Sequence, residues 1–195
     1  MFFSKMDDGL KNKLFSYLLE IVDVFVSAII AVIILFIFVF KVPTIDGDSM
    51  NNTLFNGERV VISNVFYKPK YGDIIVISRD YDNVPGTTDR SSMPIIKRVI
   101  ATEGQTVDID FEEGIVYVDG VALKESYTRT PTNLSYDVKF PVTVKEGYVF
   151  VLGDNRNNSL DSRSSQIGEE GLIDTRYIMG KALFRVFPFD KFGKI

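Results

Sequence analysis

Residues 21–40 read IVDVFVSAIIAVIILFIFVF, and from Val24 onward the one polar side chain is Ser27. A helix of about twenty residues spans about 30 Å, the thickness of a bilayer's hydrocarbon core. A core helix of a globular protein is the first rival reading, but the stretch is apolar all round and has no polar face. A cleaved signal peptide is the second. The stretch is too long for its apolar region and ends in Phe38-Val39-Phe40-Lys41, with no small-x-small cleavage site. The sequence therefore predicts an uncleaved anchor, with Glu20 and Asp23 at the near interface. Lys5, Lys11 and Lys13 precede it and Lys41 alone directly follows. The positive-inside rule then favours a cytoplasmic N-terminus. No second apolar span appears, so everything after Lys41 is expected on one side of the membrane.

Composition narrows the chemistry. The chain has 195 residues, a net charge of −4, and no Cys, His or Trp. Its length suits one domain with a real core, or one domain with a small insert. A mildly acidic chain has no basic excess to hold a polyanion, so no nucleic-acid partner is expected. Without Cys there are no disulfides, thiol catalysis or thiolate metal sites. Without His there is no Ser-His-Asp triad, and no metal site of the usual zinc kind is expected. Proton transfers in an enzyme of this composition fall to Lys, Asp, Glu or Tyr.

Beyond the anchor the pattern is β-rich. Short runs of Val, Ile and aromatic residues over 59–62, 73–78, 95–100, 106–110, 115–118, 142–144, 148–152 and 182–187 predict strands. Asp119-Gly120 between Val118 and Val121 signals a tight hairpin, and Glu112-Glu113-Gly114 another turn. Residues 79–93, rich in Asp, Gly, Pro, Ser and Thr, read as a surface loop. The expected organisation is an N-terminal segment (1–20), the anchor (21–40), a first part of a β domain (41–105), a small β insert (106–146) and a second part (147–195).

Three stretches could carry chemistry: Gly47-Asp48-Ser49-Met50, Ile95-Ile96-Lys97-Arg98-Val99-Ile100, and residues 153–163, GDNRNNSLDSR. Strand alternation puts Ile95, Lys97 and Val99 on one face and Ile96, Arg98 and Ile100 on the other. Lys97 is then either a sheet-edge lysine that snorkels to water or a desolvated lysine able to act as a base. Ser49 is either an ordinary turn serine or a nucleophile, and in a chain without His its base must be Lys or a carboxylate. The third stretch is either a solvated loop or a hydrogen-bonded network directly after a strand.

Together these stretches resemble the type I signal peptidases, membrane-anchored Ser-Lys proteases that remove secretory signal peptides. The likeness covers nearly the whole chain, and GDNRNNSLDSR, with Lys97-Arg98-Val99-Ile100, carries most of it. It looks like the compact form of Gram-positive bacteria. The resemblance implies a mostly β fold: a transmembrane helix, then an antiparallel coiled-sheet catalytic domain with a small β insert. It implies Ser49 as nucleophile and Lys97 as general base, with Ser159 hydrogen-bonded to Lys97. It implies a supporting salt-bridge network of Asp154, Arg156, Asp161, Arg163 and Arg98. Ile45 and Ile96, with Gly47 and Met50 beside them, would border the substrate, the isoleucines forming shallow pockets for small residues one and three before the scissile bond. The Ser49 N–H would be one oxyanion donor.

The sequence departs from the family pattern at Asn52, where Pro is usual, and at Ala101-Thr102-Glu103-Gly104-Gln105, where a Gly-x-Pro-Gly-Asp turn is usual. It also has Gly47 where some members carry a second oxyanion-donating serine. The resemblance implies no cofactor, no metal, secretory preproteins and the lipid bilayer as partners, and a catalytic domain outside the cell membrane. Three other readings remain at this point: a non-catalytic assembly chaperone of the same fold, a soluble Ser-Lys autoprotease, which residues 21–40 oppose, and a membrane-tethered β module that only binds.

Overall fold

The computed structural model describes residues 8–78 and 94–195. Residues 1–40 and 41–195 form two separate units. The first is one helix, α1 (Asp8–Val39). It starts well before residue 21, because Leu10, Leu14, Leu18 and Leu19 favour helix and no Gly or Pro interrupts the chain after Gly9. Its residues 9–39 are long and apolar enough to cross a membrane. Its large apolar side chains are exposed along its length, from Leu10 to Phe38.

The second unit is built on antiparallel sheets. Strands are β1 (Arg59–Ser63), β2 (Ile74–Ile77), β3 (Ile95–Thr102), β4 (Thr106–Asp110), β5 (Ile115–Val118), β6 (Val121–Ala122), β7 (Val142–Thr143), β8 (Tyr148–Leu152), β9 (Ile173–Asp174), β10 (Ile178–Phe187) and β11 (Gly193–Lys194). The larger sheet runs β1-β10-β2-β3-β8-β9, with β11 added to β10; the smaller runs β6-β5-β4-β7. Eight runs were expected as strands and all eight form, most within two residues of the expected bounds, while β10 starts four residues before the expected 182. β6, β9 and β11 have two residues each and too few apolar positions to show a period. The loop expected over residues 79–93 lies outside the described residues.

Alternation explains how the core divides. β2 is buried on both faces: Ile74 and Val76 join Ile45, Met50, Leu54 and Ile96 in one cluster, while Ile75 and Ile77 join Val99, Val151 and Ile178 in another. A strand covered on both sides reads as a continuous apolar run. The smaller sheet lays Val107, Ile109, Val116 and Val118 against Ile100, Phe150 and Leu152. Phe140 closes that packing, edge-on to both Phe111 and Phe150. Asp119 and Gly120 both have positive φ, 52° and 75°, and join β5 to β6 as their dipeptide foretold. The 101–105 departure still makes a turn: Gln105 N–H donates to the Thr102 carbonyl, and Gln105 Oε1 accepts from the Thr102 N–H.

Candidate active site

Lys97 lies on β3, which is flanked by β2 and β8 and is no edge of the sheet. It pairs with Ile75 and is 3% exposed, so the snorkelling reading fails. Its Nζ sits 2.8 Å from Ser49 Oγ and donates to the Ile96 carbonyl at 2.9 Å. Sequence spacing could not show this approach, because the two residues meet through the sheet rather than along the chain.

Ser49 is half-buried at the start of a turn. The Met50 carbonyl accepts from the Thr53 and Leu54 N–H groups, so the turn closes with Asn52 in place of proline. The β3–β8 ladder pairs Arg98 with Leu152, so the chain leaves β8 at Gly153, beside Lys97. There it docks onto the Ser49 turn. Asn155 N–H donates to the Ser49 carbonyl at 2.9 Å, and Asn155 Nδ2 to the Asp48 carbonyl at 3.1 Å. Only a glycine fits at 153: a Cβ there would lie 2.2 Å from Ser159 Oγ and 2.5 Å from the Ser49 carbonyl oxygen.

The five residues named for the network take part in three ion pairs, one of them with a partner outside the five. Arg98 holds Asp154 bidentately at 2.8 and 2.7 Å, and Thr53 Oγ1 donates to the same carboxylate. Burial works against the Arg98 charge, but the hydrogen bonds and charge of Asp154 outweigh it and raise its pKa. Arg163 holds Asp161 bidentately at 2.8 and 2.9 Å, both side chains wholly buried, and Asp161 also accepts from the Gly153 N–H. Arg156 pairs with Glu125, at 2.8 and 2.5 Å. The network reading missed Glu125, Thr53 and Tyr127, whose ring lies 4.0 Å from the Arg98 guanidinium carbon. Burial, and after it the charge of Glu125, push the Tyr127 phenol pKa well up, so it stays a donor. Glu125 sits in a stretch of mixed polar residues with no period, which gave no signal.

Other expectations need correction. The hydrogen bond from Ser159 to Lys97 does not form: Ser159 Oγ is buried and has no hydrogen-bond partner among the described residues. Its residue is held through its carbonyl, which accepts from Tyr136 Oη and Arg163 Nη2. Met50 is wholly buried in the core cluster, so it backs the apolar wall and offers substrate no surface. Gly47 donates its N–H to Asn56 Oδ1, which engages the backbone donor nearest the missing second oxyanion serine. The Ser49 N–H makes no hydrogen bond among the described residues. Ile45 and Ile96 lie in one cluster, 4% and 7% exposed. Among the described residues no group of three or more acidic side chains gathers in a way that could hold a metal ion.

A buried amine against a serine hydroxyl, in a chain without histidine, is the equipment of a Ser-Lys hydrolase. The family described as signal peptidase, peptidase S26, matches residues 18–187. A probable signal peptidase I-1 of Synechocystis is 38% identical over 183 residues, spanning 92% of this chain and 87% of that protein. A signal peptidase I of Bacillus licheniformis is 32% identical over 194 residues, spanning 94% of each. A solved signal peptidase I from Enterococcus faecalis V583 is 27% identical, covering 59% of this chain and 97% of its own, at a TM-score of 0.44. The chain belongs to the S26 signal peptidase family.

Proposed function

We propose that this serine endopeptidase removes signal peptides from secretory preproteins with Ser49 as nucleophile and Lys97 as general base. The observation that supports it most is the 2.8 Å approach of a buried lysine amine to a serine hydroxyl. Burial disfavours an ammonium, so it favours the neutral amine that a base must be. Neutral Lys97 takes the Ser49 proton as Oγ attacks the scissile carbonyl. The Ser49 N–H, unbonded among the described residues, would donate to the oxyanion. The tetrahedral intermediate collapses, and the departing amine takes the proton from Lys97. A water deprotonated by Lys97 then hydrolyses the acyl ester and frees Ser49.

The substrate is read as an extended segment with small residues one and three before the cut, beside Ile45 and Ile96. The chain is read as a single-pass protein of the cell membrane with α1 as anchor, its N-terminus cytoplasmic and residues 41–195 outside. Within that part, residues 106–146 are the insert between two portions of the catalytic domain, 41–105 and 147–195. Cleavage of a preprotein by Ser49→Ala and Lys97→Ala tests the mechanism. Each should lose roughly 10³-fold or more in turnover with its thermal melt intact. Near-normal turnover by either would refute it. Topology is open to cysteine labelling, since the chain has no Cys: a Cys at Lys13 should react only after the membrane is opened, and one at Lys124 before.

A further inference from the structure

Residues 125–138 form no regular element, yet they grip the 153–165 loop at nearly every step. Arg129 N–H donates to the Asp154 carbonyl at 3.0 Å, and Thr132 Oγ1 accepts from Arg156 at 2.6 Å. Leu134 N–H donates to Asn157 Oδ1, while the Leu134 carbonyl accepts from Arg163. Tyr136 Oη donates to the Ser159 carbonyl, and Val138 N–H to the Arg163 carbonyl. The strongest of these grips is Glu125. Its carboxylate takes the Arg156 guanidinium bidentately, and the Arg156 side chain is 1% exposed.

That carboxylate is linked to both halves of the dyad. On one side, Arg156 Nε donates to the Gly153 carbonyl at 3.0 Å, fixing the bend that packs on the Ser49 carbonyl and leads to Asn155. On the other, Tyr127 Oη donates to Glu125 Oε1 at 2.8 Å, and the Tyr127 ring stacks on Arg98, the neighbour of Lys97 on β3. A planar guanidinium held by two parallel hydrogen bonds is fixed in angle as well as distance. The Arg156–Glu125 pair works beside the Arg163–Asp161 and Arg98–Asp154 pairs, and it alone of the three ties the loop by an ion pair to residues 125–127.

We propose that Glu125 is a positioning residue for catalysis: through Arg156 and Tyr127 it sets the separation of Ser49 Oγ and Lys97 Nζ. This rests on the dyad reading above. Proton transfer over a hydrogen bond is sensitive to small displacements, and a shift of about 1 Å can cost about 100-fold. Glu125→Gln removes the charge and one acceptor while keeping the shape. It should lower kcat about 10-fold to 100-fold on a soluble signal-sequence peptide, with KM within about twofold.

The assay uses full-length protein in detergent, well below the melting temperature, with Ser49→Ala and Lys97→Ala alongside. Glu125→Asp keeps the charge on a shorter arm and gives a second reading if the glutamine variant does not fold. A lowered kcat with unmoved KM in a folded Glu125 variant supports the inference. A purely structural clasp would lower the melting temperature and leave kcat per folded molecule at the wild-type value, and that result overturns it. If Ser49→Ala or Lys97→Ala stays active, the dyad reading itself fails and the inference falls with it. If both are dead while folded Glu125 variants turn over normally, the inference alone fails.

Discussion

Two buried cationic regions meet at this site and are built differently. On β3, the contacts of Lys97 Nζ include a serine hydroxyl and a backbone carbonyl. In the 153–163 loop, Arg156 and Arg163 each meet a carboxylate bidentately, as Arg98 does from β3. The difference teaches which group is free to titrate. A guanidinium cannot lose its proton in a protein, so burying it demands a counter-charge. A lysine amine can shed its proton when desolvated, which a guanidinium cannot do. On the proposed mechanism the loop is scaffold and the strand carries the reactive amine.

The sharpest way to break that contrast is to make the strand resemble the loop. Lys97→Arg should be inactive at every accessible pH, because a guanidinium cannot serve as base. In the wild type, kcat/KM should rise with pH as free-enzyme Lys97 loses its proton. The midpoint should lie below the ordinary lysine value of about 10.4, because burial disfavours the charged form. A profile from about pH 5 to 10 decides it; an active arginine variant, or a limb near pH 4 to 5, would assign the base to another group.

The next largest effect belongs to the loop. Asp161→Ala leaves Arg163 charged and buried, and should cost about 3–5 kcal/mol of stability. Thermal and urea melts read it, and a variant as stable as wild type would show that the pair is not structural. A smaller change is expected at the apolar wall. Ile96→Ala or Ile45→Ala should relax the preference for small residues at the cut by about tenfold in kcat/KM ratio. A peptide series measures this, and unchanged selectivity would move the pocket elsewhere.

Ser159→Ala should show the least. Its hydroxyl makes no hydrogen bond among the described residues, so melting should stay near wild type. Its hydroxyl lies close to Gly153, beside the dyad, and its loss should lower kcat by no more than about tenfold. A large drop in melting temperature would mean that the side chain bears structure.

Much of the site was legible because its residue types are chemically unusual where they stand. A lysine and an arginine inside an apolar strand, a Gly-Asp-Ser turn, and a dense Asp-Asn-Arg-Ser loop all stand out against local pattern. The pairings were not legible. Arg156 found Glu125, thirty-one positions back in an aperiodic stretch, rather than a carboxylate of its own loop. Met50, beside the serine, turned inward because its unbranched side chain fills the core cluster.

The sequence by itself determined the apolar helix, the longer strands and the exclusion of histidine and cysteine chemistry. These follow from local period and composition, which act over a few residues. Only the tertiary structure decided that Lys97 is interior, that it meets Ser49, and which carboxylate holds which arginine. Each of those depends on strands distant in sequence being neighbours in the sheet, and on burial, which no window along the chain contains.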